Sequence, residues 1–143
     1  MRGMTSLRLT PLMAALCGIW LLLLGGCANP AGNSGLTLGG QPWRLVALGG
    51  KPVEVQERAP SLQFDLAAGR AAGFAGVNRY SGDITLDGAR LTFGPAILTK
   101  MAGPPERMEL ERRFTAALAA TTSWRIRERQ LELLAGDNYV LAA

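Results

Sequence analysis

A charge-free run of 13 residues, Leu12 to Leu24, follows Arg2 and Arg8 and ends in the small residues Gly25 and Gly26. A helix that crosses a bilayer needs about 20 apolar residues. The run is too short for that, and its basic start and small-residue end have the layout of an exported leader. Removing residues 1–26 leaves 13 basic and 11 acidic side chains, a net charge of +2 against +4 for all 143 residues. So mild a balance argues against nucleic acid as a partner. The sequence contains no His. That removes the side chain most used for general acid–base work and for zinc or copper near neutral pH, and it weakens hydrolase and metalloenzyme readings.

The leader ends in Leu24-Gly25-Gly26-Cys27, which resembles the bacterial lipobox. That resemblance implies a cut between Gly26 and Cys27, a diacylglycerol on the Cys27 thiol, and an acyl chain of palmitate type on the new amine. One chain alone binds a membrane only marginally, whereas two or three hold firmly. Ala28 rather than Asp follows the Cys, which points to the outer membrane, with the protein facing the periplasm. Cys17 leaves with the leader, so the processed chain has one acylated Cys and no internal disulfide. Residues 27–40 are rich in Gly, Asn, Ser and Pro and read as a lipidated flexible tether. Residues 41–143 then form one domain that stands on its core alone.

Within that domain the dominant period is two. Trp43, Leu45 and Ala47 alternate with Arg44 and Val46 up to Gly49-Gly50, and Leu62, Phe64 and Leu66 alternate with Ser61, Gln63 and Asp65. Residues 71–80 read as a strand in which Gly73 and Gly76 mark a bulge or a close backbone approach. Residues 83–93 read as a hairpin turned at Asp87-Gly88. The exception begins at Pro104-Pro105, where Leu110, Phe114, Ala117, Leu118 and Thr121 have helical spacing, and proline suits a first turn. Alternation returns at Trp124 and Ile126, at Leu131 and Leu133, and from Tyr139 to Leu141, with a turn at residues 136–138. Strands, one helix and more strands, without βαβ alternation, predict an α+β domain: a small, curved, mainly antiparallel sheet, a partial barrel wrapped against one main helix.

The strings Gly76-Val77-Asn78-Arg79-Tyr80-Ser81-Gly82, Leu91-Thr92-Phe93-Gly94-Pro95 and Thr99-Lys100-Met101-Ala102 resemble the META domain family, in its HslJ-like lipoprotein type. The likeness runs from Trp43-Arg44-Leu45 through Glu111 and Phe114 to the closing hairpin around Leu131-Glu132-Leu133. It implies a small antiparallel sheet against a helix and a link to heat shock and stress tolerance. Family members commonly carry Cys where this chain has Val77 and again where it has Gly103. Their joint absence suggests that these two positions face each other.

Asn78, Arg79, Tyr80 and Ser81 form the candidate binding or structural motif. In one reading Arg79 meets an anion and Tyr80 offers a flat contact; in the other Asn78 takes a left-handed turn and Tyr80 packs on the sheet. Asp83 and Asp87 lack the ligand density of a calcium loop and read as hairpin residues. Thr99 and Lys100, as neighbours on a strand, point to opposite faces and make a poor nucleophile and base. Arg125, Arg127 and Arg129 would share one face if alternation persisted through a turn. Glu109 is placed to pair with Arg112 or Arg113 on the solvent side of the helix. Trp43, Phe64, Phe74, Phe93, Phe114 and Trp124 are expected to fill the interior and leave no large apolar cavity. The resulting expectation is a monomeric, non-enzymatic envelope lipoprotein without metal or cofactor. It would be held at a membrane by its N-terminal lipid and work by binding an envelope partner such as an envelope protein. The competing reading is a small periplasmic inhibitor of an enzyme such as lysozyme. A carrier of an apolar ligand would instead need an unfilled interior.

Overall fold

The structure is a computed structural model that describes residues 37–54, 58–136 and 138–143. Gly26 and Cys27, with the leader and tether up to residue 36, lie outside the described residues. Among the described residues are β1 (Trp43–Arg44), β2 (Ala47–Leu48), β3 (Lys51–Pro52), β4 (Ser61–Asp65), β5 (Arg70–Phe74) and β6 (Arg79–Asp87). They continue with β7 (Arg90–Phe93), β8 (Ile97–Leu98), α1 (Pro105–Ala120), β9 (Ser123–Arg127), β10 (Gln130–Ala135) and β11 (Asn138–Ala142). The strands pair in the order β1-β4-β5-β6-β7-β9-β10-β11-β2-β3, with β8 also on β6. Every pairing is antiparallel. The path is open, and its strands far outweigh the single helix.

The stretch read as one first strand is two short ones. Between them Leu45 N–H donates to the Pro60 carbonyl and Val46 N–H to the Ala142 carbonyl, so the chain leaves one end of the sheet path for the other. The alternation survives the break, with Trp43 and Leu45 buried and Arg44 and Val46 exposed. Residues 71–80 are likewise two strands, separated by a turn in which Ala75 N–H donates to the Asn78 carbonyl. Both glycines there mark close approaches. A Cβ on Gly73 would lie 2.0 Å from the Ser61 carbonyl oxygen, and one on Gly76 would lie 3.0 Å from the Arg107 carbonyl oxygen. Gly76 also adopts φ 143°, a conformation open chiefly to glycine.

The 83–93 hairpin forms as the sequence indicates: Asp87 pairs with Arg90, and Gly88 takes φ 56°. Past Phe93 the strand bulges. Phe93 pairs with Ile84 and Ile97 with Ser81, so residues 94–96 oppose only residues 82–83. Gly82 makes room, because a Cβ there would meet the Pro95 oxygen at 3.2 Å. The β9–β10 turn holds Glu128 at φ 49° and Arg129 at φ 71°. Arg129 therefore belongs to the turn and does not extend a face with Arg125 and Arg127, and Arg125 is paired with Glu132.

Helix α1 starts at Pro105, with the amides of Arg107 and Met108 donating to the Pro104 carbonyl. It buries Glu111, Phe114 and Leu118, which lie on one stripe. Its main neighbours are β2, β7, β10 and β11, whose Leu48, Leu91, Leu131, Leu133 and Leu141 complete that side of the core. The solvent side carries the two hydrogen bonds from Arg112 to Glu109, at 2.8 and 2.6 Å.

Candidate functional site

The turn between β5 and β6 is clamped to α1 by two helix residues one turn apart. Arg107 donates from Nε and Nη2 to the Gly76 carbonyl at 3.0 and 2.8 Å. Glu111 accepts at Oε2 from the backbone N–H groups of Val77 and Asn78, at 3.0 and 2.6 Å. Residues at i and i+4 share a helix face, so one face holds both the carbonyl and the amides of the turn.

Asn78 extends that clamp to a third segment. Its Nδ2 donates to Glu111 Oε1 at 2.8 Å and to the Met101 carbonyl at 3.2 Å. Its Oδ1 accepts from Thr99 Oγ1 at 2.9 Å and from Met101 N–H at 2.7 Å. A side-chain amide has two donors and room for two acceptor bonds, and in Asn78 all four are used. Thr99 Oγ1 also accepts from Arg79 N–H at 3.2 Å. The two halves of the sequence motif, residues 78–81 and 99–102, are thus halves of one joint. Burial pushes the Glu111 carboxyl up, but the hydrogen bonds from the Asn78 amide and from the N–H groups of Asn78 and Val77 outweigh it. The carboxyl is held below its ordinary value.

The other motif residues divide by strand alternation. Tyr80 is buried edge-on to Phe114, ring centroids 5.7 Å apart, and its hydroxyl donates to the Ser61 carbonyl at 3.1 Å. Burial pushes that hydroxyl well above the ordinary tyrosine value. Ser81 is half-buried between its partners Ala72 and Ile97. Arg79 alone of the four is exposed. Of the two readings of the motif, Tyr80 follows the one in which it packs inward. Asn78 does not take the left-handed turn that reading gave it, since the non-glycine residues at positive φ among the described residues are Glu128 and Arg129. The Thr99 hydroxyl is committed to Asn78. Asp83 sits 3.7 Å from Arg70. Val77 and Gly103 do face each other: a Cβ on Gly103 would lie 3.4 Å from the Val77 Cβ and 2.6 Å from its Cγ2.

The clamp itself was not foreseen in Arg107 and Glu111. The available signal was an acidic residue in an otherwise apolar stripe, three before Phe114 and seven before Leu118, with an arginine four residues ahead of it.

On the far side of Tyr80 lies a cavity of about 460 Å³. Its floor is Ala71, Tyr80 and Leu118, which are buried, and its rim includes Pro95, Ala96 and Ala119, which are exposed. The expectation of a filled interior holds for Trp43, Phe64 and Phe114, which are buried in the core, and fails at this cleft, which opens to solvent. Phe74 is only half-buried and lies under the guanidinium of Arg58, 4.3 Å from its ring centroid. Trp124 is also half-buried, with its indole N–H donating to the Gly88 carbonyl. Neither ring reaches the space between α1 and the bulge at residues 94–96, which is lined by Tyr80, Phe93, Leu98 and Leu118 together with small residues.

The family model of the META domain matches residues 36–143. No curated protein matches the chain. Two solved structures are similar in fold. An NMR structure of a protein from Burkholderia xenovorans is 26% identical with a TM-score of 0.58, covering 73% of this chain and 81% of that one. A second NMR structure is 22% identical with a TM-score of 0.57, covering 75% of this chain and 93% of that one.

Proposed function

The chain belongs to the META domain family, and from that premise we propose that it is a non-enzymatic cell-envelope lipoprotein that binds an envelope partner in envelope maintenance or stress tolerance. Cys27 carries the lipid, residues 27–40 give reach, and the domain does the binding at the periplasmic face of the outer membrane. The observation that supports this most is the fate of the motif's polar atoms. Asn78, Glu111 and Thr99 spend theirs joining β6, residues 99–101 and α1, which suits a rigid recognition module better than a reacting centre.

The test is in-cell crosslinking followed by mass spectrometry of the purified product. The expected result is a chain that begins at an acylated Cys27 and carries a reproducible envelope component, whose capture falls when Cys27→Ser releases the chain from the membrane. An intact leader, a bare thiol, or turnover of a substrate that depends on one side chain would contradict it. Ile97 and Met101 favour a second reading, the inhibitor, since they stand 70% and 62% exposed on either side of Thr99, as apolar anchors for a partner enzyme would. That reading requires the purified protein to slow a lysozyme and Met101→Ala to relieve the effect.

A further inference from the structure

We infer that the cavity between α1 and the residue 94–96 bulge is a binding site for the hydrocarbon chain of a lipid. The inference names a ligand for the binding module and does not depend on Cys27 being acylated. A volume of about 460 Å³ lies within the roughly 300–1,000 Å³ usual for small-molecule clefts.

The lining sets the ligand's chemistry. No charged side chain faces the cavity. Its two side-chain hydroxyls are already donating, Tyr80 to the Ser61 carbonyl and Thr115 to the Glu111 carbonyl at 2.9 Å. A ligand that brought a polar or ionised group to the floor would lose its hydration and find no donor in exchange. A hydrocarbon chain loses nothing. The open side suits the remainder of such a molecule, because the exposed rim leaves a headgroup in water while the chain enters.

The opening is built into the backbone. The extra residue in the bulge carries Pro95, which has no N–H to return to a ladder. Gly82 lets the bulge sit on β6, and α1 faces it with Thr115, Leu118 and Ala119, none of which carries a long side chain across the gap. Two sources supply the same chemistry: a lipid of the surrounding bilayer, or the protein's own anchor folded back along the tether.

The test is photolabelling of the full chain with diazirine-bearing palmitate in phosphatidylethanolamine–phosphatidylglycerol nanodiscs, beside the full chain carrying Cys27→Ser. Labels are expected on the peptides that contain Leu98 and Thr115–Ala119, with competition by unmodified palmitate. Labelling of both proteins assigns a bilayer lipid; labelling of Cys27→Ser alone assigns the protein's own anchor. Ala119→Phe places a ring at the rim from an exposed helix position and lowers labelling about tenfold or more, while Ala116→Phe, facing a different groove, leaves it within about twofold. If Ala119→Phe fails to fold, Ala96→Phe on the opposite rim gives the same readout. Labels absent from both proteins, or equally strong in the folded rim variants, overturn the inference.

Discussion

Tyr80 separates two regions made of the same elements and built on opposite principles. Toward the start of α1, the turn at 75–78, residues 99–103 and the helix are drawn together until the Asn78 amide has no free valence and glycine is needed for clearance. Toward the end of α1, a lining of small and apolar residues leaves about 460 Å³ open, without a charge facing it. The polar atoms of the sequence motif build the joint, while its Tyr80 and Gly82, with Phe93, Gly94 and Pro95 of the neighbouring string, bound the space a ligand can enter. A conspicuous polar string can be architecture when all its polar atoms have internal partners.

The contrast is sharpest in substitutions that leave side-chain size nearly unchanged. Asn78→Leu strands the Met101 N–H and carbonyl and removes the amide donor from Glu111. Each such orphaned group costs about 1–3 kcal/mol, so a loss on the order of 4 kcal/mol is expected, read as a fall of about 20 °C in Tm.

Restoring cysteines tests the same joint from its edge. Gly103→Cys alone crowds the Val77 side chain, while Val77→Cys with Gly103→Cys places two Cβ atoms at about the 3.5–4.5 Å that a disulfide spans. The oxidised double variant should gain about 3 kcal/mol over its reduced form in denaturant titrations with and without reductant. Gly73→Ala drives a methyl into the Ser61 carbonyl and should cost about 2 kcal/mol in urea unfolding.

Acid acts on the joint through Glu111. Its carboxyl is held below the ordinary value in the folded protein, so the stability it supplies is complete above the unfolded-state value of about 4.3 and drains away as pH falls through the folded value. Thermal melts between neutral pH and pH 3 should show a steep acid limb that flattens in Glu111→Gln. Glu109→Gln, on the exposed face, should change that limb far less. The smallest effect belongs to the open region. Ala119→Phe and Ala96→Phe sit at exposed positions, and their unfolding free energy should change by no more than an ordinary surface substitution, about 0.5 kcal/mol.

What could be read beforehand followed from backbone chemistry. Asp87-Gly88 announced the hairpin, Pro104-Pro105 the helix start, and Gly73 and Gly76 the close approaches. The paired departures at Val77 and Gly103 placed two distant segments side by side. The rest depended on long-range placement that local period does not encode. A reading by alternation joins β5 to β6, because the turn at 75–78 is stabilised by α1, some 30 residues on in the chain. It likewise carries Arg129 along a strand, although the β9–β10 turn puts two non-glycine residues at positive φ. The partial exposure of two aromatics was hidden for a similar reason. Phe74 and Trp124 have core-like composition, and only the packing shows them half-buried beneath Arg58 and beside Gly88.

Hydrogen exchange at the Val77, Asn78 and Met101 amides reads the joint most directly, since all three donate to its side chains. The expected result is protection equal to that of the β10 amides, with exchange only through global opening. Exchange of these three at the rate of an exposed loop, while β10 stays protected, would show that the motif is a surface loop and that Asn78 holds nothing together.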